Sequence, residues 1–102
     1  MICFKVTTPL DKEIRVTKRY WEFIATVKHP VMRGKEKAVA LTLKDPDFIR
    51  RSRKDQSVYF YYGWAKGKYI CVVCKHLNAE GFIITTYITS RVKEGEEIWR
   101  KS

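Results

Sequence analysis

The sequence predicts an α+β fold, with an N-terminal hairpin and two helices packed on one face of a curved antiparallel sheet. Three observations lead there. From Val58 to Ser90, three runs rich in Val, Ile, Tyr, Phe and Thr are separated by short Gly-bearing breaks, the pattern of an antiparallel meander. Ahead of them, Tyr20, Ile24 and Val27 recur at helical spacing, with Trp21 and Ala25 beside them. Finally, 102 residues with 45% hydrophobic and 31% charged content can close one core, so residues 1–102 read as a single domain.

Taken in order, Ile2 to Thr8 is β-branched and alternating, and Pro9 stops it. Leu10 to Glu13 reads as a turn and Ile14 to Val16 as a second strand, which completes a hairpin. Thr17 stands where an N-cap belongs, ahead of KRYWEFIATV, and that helix must end near Lys28 and His29 because Pro30 disfavours helical geometry before it. A second helix is expected from about Arg33 to Leu43, broken by Lys44-Asp45-Pro46-Asp47. Phe48 and Ile49 re-enter the core, and the cationic run Arg50 to Asp55 leads into the meander. Side chains alternate along a strand. Parity therefore groups Phe82, Ile84, Thr86 and Ile88 against Ile83, Thr85, Tyr87 and Thr89, and Val58, Phe60 and Tyr62 against Tyr59 and Tyr61. After Ser90 a turn at Glu94-Gly95 returns Trp99 to the body.

Composition bounds the function. No apolar run reaches the roughly 18 residues of a membrane span, which excludes a transmembrane helix, and no stretch is a strongly amphipathic basic helix with an uninterrupted apolar face, so no membrane partner is expected. The N-terminus lacks a long apolar stretch, against a signal peptide. Three cysteines make no disulfide framework, so a reducing, cytoplasmic setting is expected. A net charge of +10, from 21 Lys and Arg against 11 Asp and Glu, calls for a polyanion: RNA, DNA or an acidic protein.

Candidate chemistry narrows further. Cys71 and Cys74 resemble a metal or redox pair, but strand residues three apart face opposite ways at roughly 10 Å, so both read as core. His76, near the strand end, reads as a surface residue. No metal-ligand cluster, Gly-rich phosphate loop or paired carboxylates appear, and no cofactor or metal is expected. His29, between a helix end and Pro30, suits either proton transfer near neutral pH or a C-cap on the helix dipole. Arg50, Arg51, Arg53 and Lys54 form the densest cationic patch, fit for phosphate or for a solvated edge, and strand alternation lets at most half of it face one site. Among the tyrosines, Tyr61 and Tyr87 are the candidates for stacking or phenolic contacts. Side chains of these types suffice for RNA cleavage without metal, in which the ribose 2′-OH attacks its own phosphate.

The segments IRVTKRYWEFIATVKHPVM, DPDFIRRSRKDQSVYFYY, KYICVVCKHL and GFIITTYITSRVKEGEEIW resemble small phage and bacterial domains grouped with the barnase/EndoU/colicin/RelE-like nucleases. The resemblance runs from about Ile14 to Trp99 and is most specific at His29-Pro30, at Arg50 to Lys54, and at Thr85-x-Tyr87-x-Thr89. It implies a metal-independent endoribonuclease, in some relatives a toxin held by an antitoxin, with RNA and an acidic antitoxin as partners. His29 would be the acid/base, Arg51 or Arg53 the phosphate clamp, and Thr85 and Tyr87 the pair that orients the scissile phosphate. Arg50, Arg53, Lys54, Tyr61 and Thr89 would bind substrate. Relatives commonly carry a His two residues after the helix Trp, where this chain has Phe23. That departure motivates the alternative: a non-catalytic nucleic-acid-binding or protein-interaction domain of the same fold.

Overall fold

Alternating β-branched side chains in ICFKVT and EIRVT pair as an antiparallel hairpin, β1 (Ile2–Thr7) and β2 (Glu13–Thr17), in the computed structural model, which describes residues 1–102. The Thr17 hydroxyl accepts the Tyr20 N–H at 3.1 Å and starts α1 (Lys18–Phe23), as an N-cap does. The helix then widens into a π turn (Ile24–Lys28), closed by the His29 N–H on the Ile24 carbonyl at 2.7 Å, a bond spanning five residues. Pro30 has no N–H to continue it, and a 3-10 turn (Pro30–Met32) follows. Gly34, at φ +78°, turns the chain into α2 (Glu36–Lys44), which ends ahead of Pro46.

Five further strands complete the sheet: β3 (Phe48–Arg51), β4 (Val58–Ala65), β5 (Lys68–His76), β6 (Glu80–Thr89) and β7 (Glu96–Arg100). The sheet order is β1-β2-β6-β5-β4-β3-β7, antiparallel throughout except for the parallel pair β2–β6. That parallel pair is short, Glu13–Arg15 against Glu80–Phe82, so beyond Phe82 the outer edge of β6 has no strand beside it. Gly81 fits between both neighbours of β6, since a Cβ there would stand 2.2 Å from the Lys75 carbonyl oxygen of β5 and 3.0 Å from Ile14 Cδ1 of β2.

The expected α+β arrangement is corrected by these elements. Strands hold 46% of the residues and helical segments 23%, with only two short α-helices, so this is a mainly-sheet fold on one mixed seven-stranded sheet. The reasons are local. The β-branched Thr26 and Val27 followed by Pro30 keep the first helix from propagating, and Gly34 and Pro46 confine the second. The start of the cationic run, Arg50 and Arg51, completes the inner strand β3, and the C-terminal tail, expected as a docking turn, supplies the edge strand β7. Glu96, Glu97 and Arg100 charge that outer edge, which discourages further pairing.

Parity defines two sides. On the Tyr61 side, Tyr59, Tyr61, Ile70, Val72, Cys74 and Ile83 join Trp21, Ile24, Met32, Val39 and Leu43 in the larger apolar cluster. On the Tyr62 side, Phe48, Phe60, Tyr62, Cys71 and Val73 form a smaller one. A β-bulge changes the expected faces of β6. Val73 pairs with Thr85 but Cys74 with Ile83, so Ile84 is an extra residue. Ile83 thereby joins the Tyr61 side, and Ile84 lies with the smaller cluster.

His76 is not at the surface. It is 6% exposed, stacked on Tyr59 with ring centroids 3.7 Å apart, and its Nε2 lies 2.9 Å from the Tyr61 hydroxyl, which also meets Thr8 Oγ1 at 3.1 Å. Burial, with Lys12 adding to it, lowers its pKa from 6.5 to about 4. Because the folded-state value is the lower one, the neutral ring's contribution is complete above pH 6.5 and is lost as the pH falls toward about 4. Urea unfolding should therefore show stability falling by up to roughly 3 kcal/mol over that window. His76→Gln should flatten the dependence, and an unchanged pH profile would contradict it.

Candidate functional site

The Tyr62 side carries a row of directly opposed residues across four strands: Phe48 on β3, Tyr62 on β4, Cys71 on β5 and Tyr87 on β6. Phe48 stacks on Tyr62 at 4.9 Å, and Tyr87 ends the row at the edge of β6 that lacks a strand neighbour. The π turn and the 3-10 turn lie along that edge. Tyr20 from α1 ties them down, its hydroxyl donating to the Ile84 carbonyl at 2.6 Å. This places the His29 ring against Tyr87, centroids 5.5 Å apart.

A second element covers the row. To pass from β6 to β7 the chain must cross β5, β4 and β3, and residues Ser90–Gly95 do so on the Tyr62 side. Thr89 starts this strap, its hydroxyl accepting the Arg91 N–H at 3.0 Å. The Lys93 N–H donates to the Tyr62 hydroxyl at 2.8 Å, which fixes the strap over the sheet. The Lys93 ammonium consequently stands 6.0 Å from the centre of the Tyr87 ring. Arg50 reaches the Lys93 carbonyl and Arg53 the Gly95 carbonyl, both at 3.4 Å. Arg53, Lys54, Phe60 and Lys93 line one cleft.

The electrostatics follow from this packing. Burial raises the Tyr87 and Tyr62 phenols well above the usual range and pushes the Cys71 thiol up to about 11, so all three stay protonated near neutrality. The His29 pKa is lowered, chiefly by desolvation and then by Lys28, which leaves a neutral imidazole able to accept a proton. Three buried polar atoms on this side have no hydrogen-bond partner: Arg50 Nε, Thr85 Oγ1 and the Tyr87 hydroxyl. Buried polar groups are rarely left so, and three of the four in the molecule lie on this side, His76 Nδ1 being the fourth.

The structure brings His29, Thr85, Tyr87 and Thr89 to the Tyr62 side together with Arg50, Arg53 and Lys54. It places two candidates elsewhere. Arg51 opposes Tyr59 in the ladder, so it points to the Tyr61 side, where Glu96 holds its guanidinium at 2.5 Å. Tyr61 is fully buried in the larger cluster with its hydroxyl committed to Thr8 and His76. Lys93 and Tyr62 belong to the site without being marked in the sequence as candidates. Parity did set Tyr62 apart from Tyr61, but nothing in RVKEGEE signals that it crosses the sheet. No cluster of three or more His, Cys, Asp or Glu side chains forms, and no helix is long and apolar enough to cross a membrane.

Comparisons with protein-family models, characterised proteins and solved structures find no match to this chain. The site therefore rests on its own geometry. Tyr62→Phe removes the acceptor of the Lys93 N–H and should cost about 1–2 kcal/mol of stability. It should also speed hydrogen exchange at the Lys93 amide more than at β5 amides, and exchange unchanged at Lys93 would show that the strap is held by other contacts.

Proposed function

We propose that the Tyr62 side binds RNA and cleaves it without metal, as the resemblance to barnase/EndoU/colicin/RelE-like nucleases implies. One observation carries the reading: a neutral imidazole, His29, and a cation, Lys93, stand by the same half-buried phenol ring, Tyr87, at 5.5 and 6.0 Å. Cleavage by the neighbouring hydroxyl needs a base for the 2′-OH and positive charge beside the phosphate. In this reading His29 takes the 2′-OH proton as the 2′-oxygen bonds to phosphorus. Lys93 neutralises the crowded phosphorane. The bond from phosphorus to the 5′-oxygen breaks, and solvent protonates that oxygen, leaving a 2′,3′-cyclic phosphate and a 5′-hydroxyl. Tyr87 acts as a positioning residue that holds the imidazole. Arg50, Arg53 and Lys54 extend the positive track toward flanking phosphates.

A second reading, RNA binding without chemistry, is favoured by Phe23. It stands where related nucleases carry another His, is 44% exposed, and packs on Tyr20 with ring centroids 5.9 Å apart. A metal-free assay in EDTA separates the two. His29→Ala should lower cleavage by about 100-fold or more while RNA affinity is retained. Arg51→Ala should leave the rate within about twofold, since that side chain is on the other side of the sheet. The rate should fall as pH drops through the His29 pKa, which lies below 6.5, because protonation removes the base. RNA left intact by the unaltered protein, with binding retained, would establish the second reading instead.

A further inference from the structure

The opposite side of the molecule holds a basic groove that the RNA reading does not use. It lies between α2 and the tip of the β4–β5 hairpin and encloses about 740 Å³. Lys35, Lys37, Lys66 and Lys68 line it, and no carboxylate does. None of these four enters any ion pair of the fold. Its floor is aliphatic, formed by Val31, Ala38, Ile70 and Ile88. Two local features keep the rim positive. The first turn of α2 has no side-chain cap, so its free N–H groups add to the field of Lys35 and Lys37, while Glu36 in the same turn is not among the residues that line the groove. The hairpin turn puts Lys66 at φ +52° and Gly67 at φ +84°, where Asn or Gly is the comfortable first residue. A lysine held in that left-handed conformation gains nothing locally and projects a charge at the groove.

From this we infer that the groove docks an acidic amphipathic segment of a partner protein, with its carboxylates on the lysine rim and its apolar side chains on the aliphatic floor. Charge complementarity selects an anion, and the floor selects one that carries aliphatic groups. Nucleic acid fits poorly, because the groove has no arginine and no aromatic ring. The arginines and rings that would suit it are on the Tyr62 side. A bilayer fits poorly as well, because of the apolar side chains only Val31 is exposed, while Ile70 is buried and Ala38 and Ile88 are half-buried between two elements. The groove is independent of the cleavage reading and stands if His29 proves inert.

The probe is a fluorescein-labelled peptide of about a dozen residues, Leu and Glu at helical spacing, titrated into the full chain by anisotropy and, with isotope-labelled protein, by NMR. Amide shifts should concentrate at Gly34, Ala38, Ala65 and Gly67. Lys35→Glu with Lys68→Glu should weaken binding by about tenfold or more, and Arg50→Glu with Arg53→Glu by less than about twofold. Lys66→Gly, which suits the turn, should weaken binding without loss of thermal stability and so separates docking from folding. A control peptide with Leu replaced by Ser should bind several times more weakly. The inference is overturned by no detectable binding, by shifts confined to the Tyr62 side, or by equal affinity of the Ser control. It is overturned too if uridine oligonucleotides or anionic vesicles occupy the groove in preference to the peptide.

Discussion

The bond from the Lys93 N–H to the Tyr62 hydroxyl is the constraint on which the Tyr62 side of this molecule depends. Tyr62 is fully buried between Phe48 and Cys71, so its phenol is a rigid post rather than a surface group. The chain must cross three strands to add β7 at the far edge, and a segment crossing a sheet face needs partners for its backbone. Tyr62 supplies the central one and Thr89 the first. The same bond delivers the Lys93 ammonium to the Tyr87 ring, which His29 also meets. Sheet closure and site assembly are thus one event, and β7 could not pair with β3 along another route without moving that cation.

The other half of the site depends on an interruption. β2 leaves β6 after Phe82, and the π turn brings His29 to the vacated edge. Had β2 continued alongside β6, the imidazole could not have reached Tyr87. The bulge at Ile84 belongs to the same region and lets Thr85, Tyr87 and Thr89 face the row while Ile83 fills the larger cluster. Proximity of His29 to Tyr87 is therefore a product of topology, not of sequence spacing.

How much of this was legible in the sequence follows from the range of each interaction. Period-two alternation placed Tyr61 and Tyr62 on opposite sides, and the N-cap at Thr17 and the break at Pro30 were readable because they act within a few residues. The grouping of Thr85, Tyr87 and Thr89 survived the bulge, whereas that of Ile83 with them did not, because a bulge leaves no composition signal in GFIITTYITS. The parallel pair β2–β6 and the strap over Tyr62 join residues far apart in sequence, and periodicity carries nothing about them. Arg51 illustrates the limit of charge clusters: four cations in five residues read as one patch, while the ladder sends Arg50 and Arg51 to different sides. The burial of His76 is not legible, because a place at a strand end says nothing of the Tyr59 ring stacked on it or of the Ser57 carbonyl that accepts its N–H.

The chain contains two histidines, so the central claim can be read from ring titrations by NMR. The measurement is the pKa of His29 with and without a 2′-O-methyl dinucleotide, which keeps the phosphodiester and removes the attacking hydroxyl. A phosphate seated between His29 and Lys93 stabilises the imidazolium, so the account predicts that the His29 value rises on binding while that of His76, on the other side of the sheet, stays where it was. Binding that leaves His29 unmoved, or moves both rings alike, would contradict a site built on His29, Tyr87 and Lys93.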